Sequence, residues 1–563
     1  MFYTLIVLFS IDMPPSGSCE GTSAGRRVLV LGIDGATFDI IEPMVKGGRL
    51  PNLARLIEEG SSGLLESTLP PVTIPAWVSM MTGKNPGKLG VFDLLKRSGY
   101  GVEPNGCCYG DHTPLWQILN AYGIRTGVMN LPGTYPPEEV DGFMVTGMMT
   151  PSKRSPFSYP PTLAADLDTA VSPYEIDVRQ WQYSDEGRFI KDIYKVMEKR
   201  GRAAEYLIGS IPCEFYMIVF TSSDRLQHVL WRKREVIESY WEELDRVIGR
   251  ILRHFGEDTT VMVVSDHGFG TLARTFYVNE WLSRRGYLQV KEEVEEKNLV
   301  KLGRLGERLY GFLGERRLLH PITEFLKKVM GLERLQRYAY EYLSNERLEG
   351  RVDWARTKAF SCVHSPHFGH IYLNVKGKMG FGCVRDEERE ELRRAIIGEL
   401  STLADPGAGK GLKVEAYAAE DIYSGPHVGE APDIVFIIDD GRCEVDAEVG
   451  SGKLFEAGAS LTNWTGTHIK HGVFIARGPG IKRGYRVEKA GILDIAPTVL
   501  RLFGIPPPDD MDGKALEGIF TEDAVVEERE ALTAFSKRAP EIDLDEEDKA
   551  LIEARLRRLG YIS

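Results

Sequence analysis

Residues Arg26–Asp34 read R-R-V-L-V-L-G-I-D, and Gly35 follows. Val28–Leu31 is apolar without polar alternation, the pattern of a strand buried on both faces inside a parallel sheet. The run ends in an acidic residue and a glycine, which is turn chemistry. Ligands of open α/β sheets bind just outside the carboxyl ends of the strands, so Asp34 stands where function is expected.

Outward from this strand the pattern repeats. Leu50-Pro51-Asn52 opens a helix to about Glu59, and a short strand follows around Leu64–Ser67. A helix is expected over Pro75–Met81, and Trp116–Met129 reads as helix then strand. Helices over Glu186–Leu207 and Glu235–His254 alternate with strands over Phe215–Thr221 and Thr260–Ser265. Such alternation specifies the α/β class with a largely parallel sheet flanked by helices. From about Val290 to Arg351 the texture becomes charged, helix-rich and free of strand signals. Strand character returns over Ala359–Val375, Asp433–Ile438 and His471–Ala476, with helices over Glu387–Leu403 and Ile492–Phe503. The expected organisation is a leader or disordered segment (1–25), a catalytic α/β domain in two parts (26–289 and 352–521), a helical cap insertion between them (290–351), and a C-terminal helical tail (522–563). In the tail, Leu551, Ile552, Ala554, Leu556 and Leu559 recur at helical spacing, so one face is expected to dock on the body.

The chain has 563 residues and a net charge of −13, which argues against coating of extended nucleic acid. Its seven cysteines show no C-x-x-C spacing and read as free thiols of a reducing compartment. No apolar run reaches the roughly 18 residues of a membrane span. Tyr3–Ile11 is apolar but short, and no basic residue precedes it. A cytoplasmic protein is expected, with export or lipid anchoring through this segment as the alternative.

Several remote segments place chemistry-bearing residues at strand ends or helix starts. Asp34 closes the first strand; alone, it reads equally as a turn residue. Thr73, in P-P-V-T-I-P-A-W, precedes a helix with Pro75 in its first turn, so it is a candidate N-cap and a candidate nucleophile. Ser79 and Thr82 are weaker alternatives. Asp224 and His228, at i and i+4, share one helix face as either a chelate or a surface ion pair. Arg225 between them is either a phosphate contact or a solvated charge. Asp266-His267 ends another strand, and His468 stands in G-T-H before the strand from Gly472, where a lone histidine by itself reads as structural. Three Asp, three His and a hydroxyl suit two divalent ions, Zn²⁺ first and Mn²⁺ second.

The ordered set G-I-D-G, T-I-P-A-W with T-G-K-N-P-G, D-R-L-Q-H, S-D-H-G-F-G and G-T-H resembles the alkaline phosphatase superfamily. Within it, the set is most similar to the type I phosphodiesterase/nucleotide pyrophosphatase branch and its phosphohydrolase/phosphomutase relatives. D-I-A-P-T-V-L (Asp494–Leu500) and D-D-M-D-G (Asp509–Gly513) extend the likeness. The resemblance implies an alkaline-phosphatase-like fold and one metal on Asp34, Thr73, Asp266 and His267. It implies a second metal on Asp224, His228 and His468, and a phosphothreonine intermediate on Thr73. The activity it implies is hydrolysis of phosphodiester or pyrophosphate bonds in a small phosphate ester or nucleotide. The rival activities are a phosphomutase of the same superfamily and a non-catalytic metal- or partner-binding protein.

The chain departs from relatives in having Leu89 where many carry His, and no Asn near Asp93-Leu94 to hold a phosphoryl oxygen. Lys84, Lys88, Lys96 or the Thr73 N–H is left for that contact. The sulfatase signature is absent, and Ile74 rather than Arg follows Thr73, which favours diesters over doubly charged monoesters. His364, His367 and His370 form a further cluster, read as a surface or packed loop, as substrate-binding or gating residues, or as a third metal site, and the aromatics of Arg179–Tyr183 as core or a base-stacking surface.

Overall fold

The computed structural model describes residues 26–105, 110, 112–178, 185–291, 348, 350–362, 364–405, 410–450, 452–459, 464–524, 526–532 and 544–558. The leader, nearly all of the expected helical cap, Cys107-Cys108 and the aromatics at 179–183 lie outside them.

A nine-stranded sheet forms the body. Its order is Tyr485–Val487, Ser61–Glu66, His471–Arg477, Thr259–Val264, Arg27–Ile33, Phe215–Phe220, Thr126–Leu131, Gly142–Thr146 and Ser158–Tyr159. Only His471–Arg477 and the edge strand Ser158–Tyr159 run against the others. The Arg27–Ile33 strand is therefore central, which explains its unbroken apolar sequence: Val28–Leu31 are fully buried. Gly32 lies where a Cβ would come within 2.7 Å of the Trp77 ring, so glycine here admits the helix Thr73–Thr82 tight against the strand.

Register decides where the site lies. Ile33 is level with Phe220, and Gly32 with Val264, across two parallel pairings. The three chains thus leave the sheet at one edge, carrying Asp34, the helix Ser222–Leu230 and Ser265-Asp266 with them. The expected strand at Leu64–Ser67 begins earlier, at Ser61, because Ser61 and Ser62 are buried polar residues that conceal the pattern. The expected strand and helix spans elsewhere agree to within a few residues, apart from Ala359–Val375, which divides into Ala359–Phe360 and Gly369–Leu373.

A second, four-stranded antiparallel sheet was not separable in the sequence. It runs Ala359–Phe360, Gly369–Leu373, Ile434–Ile438, Val414–Ala418 and packs against the helix Asp386–Leu400. Its core includes Phe276, Trp281, Ile371, Ile396, Leu400 and Phe436, distinct from the core of the large sheet. The tail, expected to be helical from 522, is not helical over the described residues 522–524 and 526–532; a helix spans Glu546–Arg558 and buries Ile552 and Leu556, while Ala554, expected on the apolar face, is exposed and Leu559 lies outside the described residues. No helix among the described residues is long and apolar enough to cross a membrane.

Candidate active site

Asp34 follows the central strand directly, and its N–H is bonded to Phe220 O at 2.9 Å. Gly35 then takes φ +69°, a left-handed turn that favours glycine, and its N–H donates to Asp266 Oδ1 at 3.3 Å. His267 Nε2 lies 3.5 Å from Asp34 Oδ1 and 3.2 Å from Asp266 Oδ2. All three residues are fully buried, yet both carboxylate oxygens of Asp34 and Oδ2 of Asp266 lack a hydrogen-bond partner. Buried orphan carboxylate oxygens are costly unless a cation meets them.

Thr73 faces this cluster, its Oγ1 3.5 Å from His267 Nε2. It is the first residue of the helix rather than its N-cap; Val72 holds that position with extended backbone, and Thr73 makes no capping bond. The hydroxyl expected to cap the helix thus points into the site. Pro75 lacks an N–H and Ala76 N bonds Val72 O at 3.0 Å, leaving the N–H groups of Thr73 and Ile74 as the donors of the helix start. Of the weaker hydroxyls, Thr82 donates to Val78 O at 2.8 Å, and Ser79 is buried within the helix.

Asp224 and His228 lie on the helix Ser222–Leu230 and are fully buried, so they are no surface pair. His468 reaches them from a short strand, Gly466–Ile469, which pairs with Gly268–Thr271 and sets His468 opposite Phe269. The sequence did not reveal that strand, since G-T-H carries little strand character. His228 Nε2 lies 3.2 Å from Asp224 Oδ1 and 3.0 Å from His468 Nε2, and His468 Nε2 lies 3.1 Å from Asp224 Oδ1.

The three histidines share one hydrogen-bonding pattern. Nδ1 of His267 bonds Gly268 O at 3.1 Å, Nδ1 of His228 bonds Gly466 O at 3.1 Å, and Nδ1 of His468 bonds Pro71 O at 2.9 Å. A carbonyl only accepts, so each Nδ1 carries the proton and, in the neutral ring, each Nε2 presents a bare lone pair. Bare lone pairs 3.0 Å apart, beside carboxylate oxygens, repel unless a cation lies between them. This is the arrangement of metal-ligating imidazoles with their outer nitrogens fixed by the backbone. Asp34, Asp266 and His267 form one group with mutually close ligand atoms, Asp224, His267 and His468 another, and His228, His367 and His468 a third.

The electrostatics agree. Burial, then the carboxylates of Asp266 and Asp224, push Asp34 well above the usual carboxylate range. Burial and Asp224 do the same to Asp266. Burial lowers His228 to about 4 despite Asp224, and takes His267 well below its usual value. Crowded carboxylates beside neutral imidazoles make a site whose charge a divalent cation would balance.

Arg225 is not a solvated charge. It is fully buried, with its guanidinium 2.6 Å from Asp224 Oδ2 and 3.1 Å from Asp177 Oδ2. Asp177 and Trp464, whose ring stacks on His228 at 3.9 Å between centroids, are supporting residues that no motif signalled. Lys84 is bound to Asp510 and lies 3.2 Å from His112 Nδ1. Lys88 binds Asp512 Oδ1 at 2.6 Å and Asp510 O at 2.8 Å. Both lysines thus tie the Asn85 turn to the D-D-M-D-G segment. The three clustered histidines separate: both ring nitrogens of His364 face carbonyls, of Cys362 and Phe368, and His370 Nε2 lies 3.4 Å from Cys362 Sγ. His367 alone joins the metal-compatible groups.

No curated protein matches the chain. Among solved structures it is similar to murine ectonucleotide pyrophosphatase/phosphodiesterase 5, with 14% identity and a TM-score of 0.46, covering 88% of this chain and 100% of that one. The profile of one family, type I phosphodiesterase/nucleotide pyrophosphatase, matches residues 28–451, which include Asp34, Thr73, Asp224, His228, Asp266 and His267 and stop short of His468. The chain therefore belongs to the type I phosphodiesterase/nucleotide pyrophosphatase family and is a hydrolase of phosphoric ester bonds.

Proposed function

We propose that the protein cleaves phosphodiester or pyrophosphate bonds of a small nucleotide or phosphate ester through a phosphothreonine on Thr73. The observation that carries this reading is the buried convergence of orphan carboxylate oxygens and bare imidazole nitrogens around the Thr73 hydroxyl. Asp34, Thr73, Asp266 and His267 would hold one divalent cation and Asp224, His228 and His468 the other, Zn²⁺ first and Mn²⁺ second. Such ions supply Lewis acidity and neutralise charge on attacking and leaving oxygens.

Thr73 Oγ1 gives up its proton to solvent and forms the new bond to phosphorus, while the P–O bond opposite it breaks and the alcohol or phosphate departs. The N–H groups of Thr73 and Ile74 donate to phosphoryl oxygens at the positive end of the helix. Water then cleaves the Thr73 ester and releases the second product. The apolar Ile74 after the nucleophile offers no countercharge for an additional negative oxygen, which favours singly charged diesters.

Thr73→Ala tests the nucleophile. Turnover of bis(p-nitrophenyl) phosphate with Zn²⁺ or Mn²⁺ is expected to fall at least about 10³-fold. Turnover within tenfold of the parent would contradict the mechanism. With bis(p-nitrophenyl) phosphate, acid-quenched parent enzyme is expected to carry a p-nitrophenylphosphoryl group on the peptide containing Thr73. In ¹⁸O-labelled water a hydrolase places the label in the released p-nitrophenyl phosphate, whereas a mutase returns the phosphoryl group to an acceptor without it.

A further inference from the structure

In D-R-L-Q-H the glutamine has no part in the site described so far. Gln227 is fully buried, and both ends of its amide are engaged. Oε1 accepts from the Trp241 indole N–H at 3.2 Å, and Nε2 donates to Gly35 O at 2.8 Å. The indole only donates and the carbonyl only accepts, so both partners fix the same orientation of the amide. Ser223, one helical turn earlier on the same face, gives its proton to Asp34 O at 2.7 Å.

Both bonds fall on the turn that carries Asp34. Ser265 Oγ completes the grip by accepting from the Ala36 N–H at 2.9 Å. The Asp34 carboxylate itself has no hydrogen-bond partner, so the placement of its oxygens depends on the backbone of this turn. The packing is close as well, since a Cβ on Gly35 would stand 3.1 Å from Gln227 Nε2 and 2.9 Å from the Phe269 ring. The helix Ser222–Leu230 thus carries two pairs at i, i+4. Asp224 and His228 belong to one ligand set. Ser223 and Gln227, each one position earlier, hold the turn that supplies Asp34 to the other.

We infer that Gln227 and Ser223 are positioning residues for the cation held by Asp34, Thr73, Asp266 and His267, although they lie on the helix that ligates the other cation. They act through the carbonyls of Gly35 and Asp34 and not by ligation. Outer hydrogen bonds of this kind fix where a ligand atom stands and thereby tune metal affinity. The inference rests on the two-cation reading above.

The test is competition between apo-protein and a chelator for Zn²⁺ alone, with circular dichroism as the check on folding. The parent is expected to bind two ions, and Asp34→Asn and His228→Ala identify which affinity belongs to which ligand set. Gln227→Met keeps the length of the side chain and loses both hydrogen bonds. It is expected to weaken the Asp34-side ion about 10–100-fold and to leave the ion of Asp224, His228 and His468 near its parent affinity. Ser223→Ala, a smaller excision, is expected to weaken the same ion by a smaller factor of at least about threefold, and it carries the test if the methionine variant does not fold. A residue that only stabilised its own helix would weaken the ion ligated from that helix at least as much. An Asp34-side loss below these factors in folded variants, or an equal or larger loss at the other ion, would overturn the inference while the two-cation reading stands. A parent that binds no Zn²⁺ would remove both.

Discussion

Arg225 shows how much of a site depends on residues that touch no substrate. Its charge lies wholly buried between Asp224 and Asp177, and those carboxylates outweigh the burial that would otherwise lower it. Removing one partner of a buried charge network leaves the others uncompensated, which costs about 3–5 kcal/mol. Arg225→Met is expected to lower the free energy of unfolding by that amount in urea titrations. A loss under 1 kcal/mol would show that the network is solvated. The i, i+4 pair Asp224 and His228 was legible because helical spacing fixes it. The role of Arg225 was not, since a charged residue reads as solvated until its partner is known, and Asp177 is 48 positions away.

At the scale of elements, the strand Val414–Ala418 of the second sheet is tied to the active-site ribbon by one carboxylate. Glu415 lies 2.8 Å from Lys413 and is bound to Lys470, two residues after His468. Burial would raise Glu415, but the two lysines hold it at about 2. A folded-state value below the unfolded one stabilises above the unfolded value of about 4.3, and the contribution fades as pH falls toward 2. Glu415→Gln is therefore expected to destabilise by up to about 1 kcal/mol at pH 7. The gap from the parent should narrow at pH 3 in urea unfolding followed by circular dichroism. A gap independent of pH would refute the ion-pair explanation. The antiparallel ribbon carrying His468 was the element least visible beforehand. Its four residues owe their strand form to pairing with Gly268–Thr271, not to their own propensity.

For the whole molecule, the buried carboxylates make folding and cation binding interdependent. An ion that binds only the folded chain, at a hundred times its Kd, adds about 2.7 kcal/mol of stability. Removing divalent ions with a chelator is thus expected to lower the thermal midpoint by several degrees, and Zn²⁺ or Mn²⁺ to restore it. An unchanged midpoint in scanning calorimetry would oppose the two-cation reading. The same scale accounts for the second sheet. Its strands are short, the connection between the first two runs through His364–Phe368, and its helix Asp386–Leu400 buries only Ile396 and Leu400, so local patterning could not separate its core from that of the large sheet.

The sequence by itself determined the alternation of strand and helix, the burial of Val28–Leu31 on both faces and the shared helix face of Asp224 and His228, because periodicity, turn chemistry and local spacing act over a few residues. Tertiary structure alone decided that Thr73 starts its helix instead of capping it, that Arg225 is buried, and that His367 turns away from His364 and His370 toward His228 and His468. Those outcomes depend on strand register and on hydrogen bonds to backbone carbonyls from remote segments, such as Pro71 O to His468 and Gly466 O to His228. Partners of that kind exist only once the chain has folded.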